Sequence, residues 1–155
     1  MKNFFEFVSP IGTLYIGEED GFVIDISFEK PIGERRKTDV ISKTITEIEE
    51  YFNHKRTDFD IPIKLRGTKF QKEVYEYVRK ISYGNRVSYS EVAKGIGSNS
   101  RARAVGNALN KNPILILIPC HRVIKKSGEV GGFKIGLDNK NFLLNLEREN
   151  YVKKI

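Results

Sequence analysis

The sequence predicts an α+β protein in two lobes: a small antiparallel sheet backed by one helix, then a mainly helical half. Three observations carry this. Short apolar-aromatic runs fill residues 1–28, "NFFEFVSPIGTLYIGEEDGFVIDISFEK" among them. At Val40 the apolar period switches to the helical one. The charge also changes sign: residues 1–63 hold 8 Lys/Arg against 13 Asp/Glu, a net −5, and residues 64–155 hold 19 against 7, a net +12. We therefore expect an N-terminal α/β domain over 1–63 and a C-terminal domain over 64–155.

The N-terminal runs are broken by "SPIG" and "EEDG", both turn chemistry, which gives a meander of short strands. Ile41, Ile45, Ile48 and Phe52 then recur at helical spacing, with Glu47, Glu49 and Glu50 expected on the outer face. His54 to Gly67 has no period and contains Pro62, so it reads as a linker. Thr68 and Gln71 form a capping-box pair that opens a helix with Phe70, Val74, Tyr77, Val78 and Ile81 on one apolar face. Ser88 and Glu91 repeat the pattern and open a short helix that Gly95–Gly97 stops. Ser98, Asn99 or Ser100 can cap the next helix, "RARAVGNALNK", which Asn112–Pro113 ends. Helix, short polar turn, helix is the outline of a helix-turn-helix.

That second helix is unusual. Its inner positions are Ala102, Ala104, Gly106 and Ala108, and a helical glycine costs ~1 kcal/mol against alanine. Small side chains suit a helix pressed closely on something, either its own core or DNA approached by shape. They do not supply the Arg, Asn and Gln set that reads base edges. Arg101 and Arg103 remain as phosphate contacts or as a side chain inserted between bases.

The chain has 155 residues, 39% of them hydrophobic and 30% charged, which suits a globular protein with a real core. No apolar run approaches the ~20 residues of a membrane helix, and "MKNFFEFVSP" does not read as a secretory signal. A single cysteine forms no internal disulfide, so a cytoplasmic protein is expected. The basic second half fits a polyanionic partner.

That cysteine is Cys120, in "NPILILIPCHRVIKK". "PILILIP" reads as a strand buried on both faces, with Pro119 ending regular pairing. His121 and Arg122 beside the thiol can raise its thiolate fraction, which favours a reactive cysteine over a structural one. Downstream, "DNKNFLLNLEREN" reads as the last helix, capped by Asp138. Glu147 shares the apolar face of Leu143 and Leu144, where a carboxylate needs a partner. Orienting His121 is one option. Pairing with Lys140 or Arg148 is the other, and the one spacing alone favours.

"VSYSEVA", "RARAVGNALNKNP", "PCHRVI", a following "GG" and "GLDNKNFLLNLE", in that order over about residues 68–148, resemble the O6-alkylguanine-DNA alkyltransferases. The resemblance implies an RNase H-like N-terminal domain and a C-terminal winged helix-turn-helix. It implies a DNA repair protein that flips an O6-alkylguanine out of the duplex. The alkyl group then passes irreversibly to Cys120, once per molecule. By position, Cys120 is the acceptor, and His121 takes its proton through a water and is oriented by Glu147. Tyr89 serves the departing guanine, and Asn112 holds the turn before the cysteine. Arg103 is the finger that fills the vacated stack, within a DNA-facing set of Ser88, Tyr89, Arg101, Ala102, Gly106, Asn107 and Arg122. The pocket is formed by Tyr89, Leu115, Val123, Phe133 and Lys134. Leu115 stands where many relatives carry proline, Phe133 where a tyrosine is common, and Lys134 where a serine often follows. No cofactor and no metal are expected, the partner is double-stranded DNA carrying O6-alkylguanine, and the protein is expected to be a monomer. Two alternatives belong to other classes: a lesion-binding sensor that transfers nothing, and a cysteine hydrolase using Cys120, His121 and Glu147.

Overall fold

The structure is a computed structural model that describes residues 1–97, 101–125, 127 and 136–153. It forms two units, one of Met1–Arg66 with Pro113–Leu115 and one of Gly67–Asn112 with Ile116–Ile155.

The first unit is a four-stranded sheet with a helix on it. β1 (Lys2–Ser9), β2 (Gly12–Glu19) and β3 (Phe22–Ser27) form the expected antiparallel meander. A two-residue β4 (Glu34–Arg35) pairs in parallel with the other side of β1, giving the order β3-β2-β1-β4. Alternation along β2 buries Leu14 and Ile16, and a register shift at Gly17/Glu18 brings Val23 and Ile26 of β3 to the same face, all four fully buried. α1 (Asp39–Phe52), capped by Thr38, lays Ile41, Ile48 and Tyr51 against them. Glu47, expected on the outer face of α1, is instead buried. Its carboxylate accepts the Asp60 amide at 2.9 Å and lies 3.6 Å from Arg56. The period of α1 does not register this, because the partner comes from an aperiodic segment.

That segment is also more than a linker. The Val23 amide donates to the Pro62 carbonyl and the Lys64 amide to the Val23 carbonyl, at 2.9 and 3.0 Å. On the same strand, the Ile26 amide donates to Pro113 and the Leu115 amide to Ile26, also at 2.9 and 3.0 Å. The edge of β3 is thus covered by two irregular stretches, which removes a row of unpaired amides and carbonyls.

The second unit holds α2 (Lys69–Arg79), α3 (Tyr89–Ile96), α4 (Ala102–Asn110) and α5 (Leu137–Lys153). α2, α3 and α4 pack on one another, and α3–α4 is the helix-turn-helix. Both capping boxes form as read, Thr68 with Gln71 and Ser88 with Glu91. Tyr75 rather than Tyr77 is the buried tyrosine of α2, and its hydroxyl donates to the Ala108 carbonyl at 2.8 Å. The caps expected for α4, Ser98 to Ser100, lie outside the described residues; its N-cap is Arg101, with no side-chain hydrogen bond. α5 begins before Asp138, which sits exposed in its first turn, where a carboxylate suits the helix dipole. β5 (Val87–Ser88) and β6 (Val123–Ile124) pair in parallel. Of the residues that follow β6, 126 and 128–135 lie outside the described residues.

The largest departure from the sequence reading is at 113–119. The stretch is buried almost throughout but is not a strand. Ile114 makes one isolated bridge, and the chain then turns at Ile116, whose φ is +71°. A β-branched residue in the left-handed region costs about 1–3 kcal/mol and persists only where its surroundings enforce it. Asn112 is part of that enforcement: fully buried, it donates from Nδ2 to the Ile118 carbonyl at 2.8 Å, across the turn. Asn112→Ala removes that bond, leaves the carbonyl to the Cys120 amide alone, and should lower stability by about 0.5–1.5 kcal/mol. Urea denaturation measures this, and an unchanged midpoint would show that the turn holds itself.

Candidate active site

Cys120, His121 and Arg122 form a single 3-10 turn that follows Pro119 and runs directly into β6. The Cys120 amide donates to Ile118 at 2.7 Å and the Arg122 amide to Pro119 at 2.9 Å, and all three side chains are buried. A 3-10 turn advances about a third of a circle per residue, so neighbouring side chains are not forced onto opposite faces as in a strand. The pairing of β6 with β5 brings the start of α3, and with it Tyr89, toward the cysteine. Burial pushes the Tyr89 phenol well above its ordinary range, and charge on Cys120 adds to this. Tyr75 responds to the same two influences and is pushed up to about 12. Both phenols keep their protons at neutral pH.

Glu147, on α5, is the organiser. It is buried to 1% exposure, and its Oε2 lies 2.5 Å from His121 Nε2. Arg122 donates to both carboxylate oxygens, from Nε to Oε1 at 2.9 Å and from Nη2 to Oε2 at 3.0 Å. The Gly84 amide adds a fourth donor at 3.2 Å. Burial opposes ionisation of this carboxyl, yet His121 and Arg122 hold it well below the carboxylate range. Arg122 also donates from Nη1 to the Ile81 carbonyl at 2.8 Å and lies over the Tyr83 ring, so it ties the turn after α2 to the same cluster. Burial lowers the affinity of His121 for a second proton, against the pull of Glu147, and Arg122 and Lys140 lower it further. The imidazole is therefore neutral. Its Nδ1 is buried and takes no hydrogen bond from the described residues. Lys140 of α5 is fully buried, and its Nζ donates to the Val123 carbonyl at 2.5 Å.

The residues singled out from sequence fall into separate groups. Cys120, His121 and Glu147 share the interior of the second unit, with Asn112 behind the turn and Tyr89 half-buried. Arg101, Arg103 and Asn107 are exposed on α4, and Ala102 and Gly106 are half-buried there. A Cβ built on Gly106 would meet only the Tyr89 ring, at 3.7 Å, so internal packing does not require glycine at that position. Ser88 is buried and spends its hydroxyl on the cap of α3. Arg122, grouped above with DNA-facing residues, is not on the surface: its guanidinium is consumed by Glu147 and Ile81. Leu115 is buried in the first unit, bonded to β3. The Val123 carbonyl is occupied by Lys140. Phe133 and Lys134 lie outside the described residues. Glu147 takes the orienting option: its carboxylate meets His121 and Arg122. Lys140 was missed, although 140, 143, 144 and 147 share one face of α5; a lysine on an apolar stripe was the available signal.

A helix-turn-helix unit beside a buried Cys-His-Glu series marks a DNA-associated class of protein. The family model for the DNA-binding domain of 6-O-methylguanine DNA methyltransferase matches residues 69–149, and that for its ribonuclease-like domain matches residues 7–65. The chain belongs to the 6-O-methylguanine DNA methyltransferase family. It is 39% identical to the methylated-DNA–protein-cysteine methyltransferase of Methanosarcina acetivorans, over 91% of this chain and 95% of that one. Its identity to the protein of the same name from Metallosphaera sedula is 42%, over 91% and 90%. Among solved structures, Mycobacterium tuberculosis OGT in complex with DNA superposes with a TM-score of 0.89 at 34% identity, covering 96% of this chain and 94% of that one.

Removing one side of the Glu147 cluster exposes its weight. Arg122→Met should cost about 3–5 kcal/mol near neutral pH, because a buried carboxylate loses its balancing cation. Glu147 has a folded value below its ordinary 4.5, so its stabilisation is present above that pH and lost as pH falls below it. The deficit of the variant, read by urea denaturation, should therefore shrink toward acid; a deficit independent of pH would contradict the assignment.

Proposed function

We propose that this protein repairs DNA by accepting an alkyl group from O6 of guanine onto Cys120, one group per molecule. The observation that carries the reading is the thiol itself. It is buried on a rigid turn next to a neutral histidine that a paired carboxylate holds in place, in the unit that also carries the helix-turn-helix.

Displacement at a saturated carbon needs a soft, strong nucleophile, and a thiolate is one. In the step, a bond forms between Sγ and the alkyl carbon while the bond from that carbon to O6 breaks, and guanine leaves as an anion. His121 draws the thiol proton through a water at Nδ1; an orphaned buried nitrogen is where an ordered water is expected. Glu147 fixes the ring and Arg122 fixes Glu147. Tyr89 keeps its proton because burial disfavours phenolate, so it serves the departing base as a hydrogen-bond donor. The Val123 carbonyl, which has a second lone pair beside the one Lys140 takes, and the segment carrying Phe133 and Lys134 are assigned to the guanine edge. Duplex DNA is engaged through α4. Arg101, Arg103 and Asn107 face outward beside half-buried Ala102 and Gly106, and Arg103 fills the space of the extruded nucleotide. A helix of small residues with exposed arginines fits sequence-blind approach by shape and phosphate contact. Ser88 supports this surface through the α3 cap. A monomer in the cytoplasm completes the reading.

Incubation with O6-methylguanine duplex followed by intact-mass measurement tests the chemistry. A gain of one CH2, absent in Cys120→Ser, is expected; tight lesion binding with no mass change would favour a lesion sensor instead. Multiple turnover of an acyl substrate would favour a hydrolase. The DNA surface has its own test. Arg103→Ala should slow repair of duplex by about 10-fold or more, since base extrusion costs a few kcal/mol, while reaction with free O6-benzylguanine stays near the parent rate. Gly106→Ala should keep or raise stability, by up to about 1 kcal/mol, yet weaken duplex binding. Equal losses on base and duplex would remove α4 from the interface.

A further inference from the structure

The turn after α2 meets the Glu147 cluster three times in four residues, and the repair reading gives a task to none of the three. The Ile81 carbonyl accepts from Arg122 Nη1 at 2.8 Å, and the Gly84 amide donates to Glu147 Oε1 at 3.2 Å. Between them the Tyr83 ring lies across the guanidinium, with its centre 5.6 Å from the guanidinium carbon. Tyr83 is half-buried, whereas Arg122 is 6% exposed and Glu147 1%. The ring thus stands between a buried ion pair and solvent.

The ring is itself held. Asn150 lies three residues beyond Glu147 on α5, so the two share a helix face. Asn150 is buried, and its Nδ2 donates to the Tyr83 hydroxyl at 3.1 Å. One face of α5 therefore supplies both the carboxylate and the anchor of the ring that covers its partner. The in-plane donors of Arg122 go to Glu147 and Ile81. An aromatic ring can shield the face of a guanidinium without competing for those hydrogen bonds. Shielding matters because the attraction within an ion pair depends on the dielectric around it. Water at the guanidinium weakens its hold on Glu147, and Glu147 orients His121 through the 2.5 Å contact to Nε2.

We propose that Tyr83 is a positioning residue for the acceptor reaction: its ring keeps water from the Arg122–Glu147 pair and so fixes the His121 imidazole. The task of His121 rests on the repair reading; the contacts that hold it do not. The ring face is the cover and the hydroxyl is its anchor. Phenylalanine at this position keeps the cover, and leucine removes it.

The experiment reads the proton between His121 and Glu147 by NMR. An ionised carboxylate only accepts, so Nε2 carries that proton, and a short charge-assisted bond places its resonance far downfield. His121→Gln identifies the signal by its loss. In Tyr83→Leu the proton should exchange with water about tenfold faster or more, the scale set by a shielded cation over a ring. Tyr83→Phe should stay close to the parent. Val74→Ala, a cavity at a fully buried residue of α2, controls for lost stability alone and should leave the proton unchanged. An unchanged proton in Tyr83→Leu, an equal change in Val74→Ala, or equal losses in Tyr83→Leu and Tyr83→Phe overturns the proposal. Should Tyr83→Leu not fold, the unsubstituted protein decides. The Arg122 Nε proton should then show a nuclear Overhauser contact to the Tyr83 ring and slow exchange with water, and absence of either overturns the cover.

The rate with free O6-benzylguanine, followed by intact mass, ties the cover to the chemistry. Tyr83→Leu should slow it about tenfold, and Tyr83→Phe should not. A disturbed proton with an undiminished rate overturns the positioning role. If the proton responds as expected while even the parent accepts no alkyl group, the hold on His121 stands and the repair reading falls.

Discussion

A carboxylate inside a protein must be matched, and the second unit is arranged around matching one. Glu147 receives donors from two places in the chain, the turn after α2 through Gly84 and the cysteine turn through His121 and Arg122, and Arg122 in turn donates to the Ile81 carbonyl. Desolvating two full charges costs several kcal/mol each, and only near-ideal geometry recovers it. The bidentate guanidinium provides that geometry. The same contacts fix the imidazole ring, so the cost of burying the ion pair also orients the side chain that follows Cys120.

The thiol is held by backbone as much as by side chains. Cys120 stands on a 3-10 turn, and the approach to it passes through a strained Ile116 and an asparagine that braces Ile118. Strained backbone is stable only where dense packing over-determines it, and nearly every residue from Ile114 to Val123 is buried. Rigidity of this kind suits a reaction with one alignment, because a nucleophile that is pre-placed does not spend orientation entropy in the transition state.

Local rules made much of this legible. Capping boxes are pairs three residues apart, and both formed. The helical periods of α1 and α2 and the polar break between α3 and α4 lie within a single turn or two of chain. Glu147 was visible as a carboxylate on an apolar stripe, and Cys120 as a thiol between a proline and a histidine. What sequence did not disclose depends on partners distant in the chain. "PILILIP" has a strand's composition, but whether it pairs is decided by β3 and by Asn112, neither of which a hydrophobic run encodes. Arg122 reads as a surface cation until its carboxylate, 25 residues on, is known to be buried beside it. Glu47 is hidden for the same reason, since its partner amide lies at Asp60.

The first unit is not contiguous in sequence. Pro113–Leu115 supply the hydrogen bonds that cover Ile26 of β3, although that strand is finished by Ser27. Domains often fold in order as they emerge during synthesis. Here the N-terminal sheet stays open at one edge until the chain has been made through Leu115, five residues before the cysteine. Maturation of the two halves is therefore coupled in time: the Ile26 end of the sheet closes only when the segment leading to Cys120 exists. A fragment ending at Arg66 would keep the Pro62–Lys64 cover over Val23 but carry the Ile26 end of the edge exposed permanently, and such an edge is a template for association with other chains.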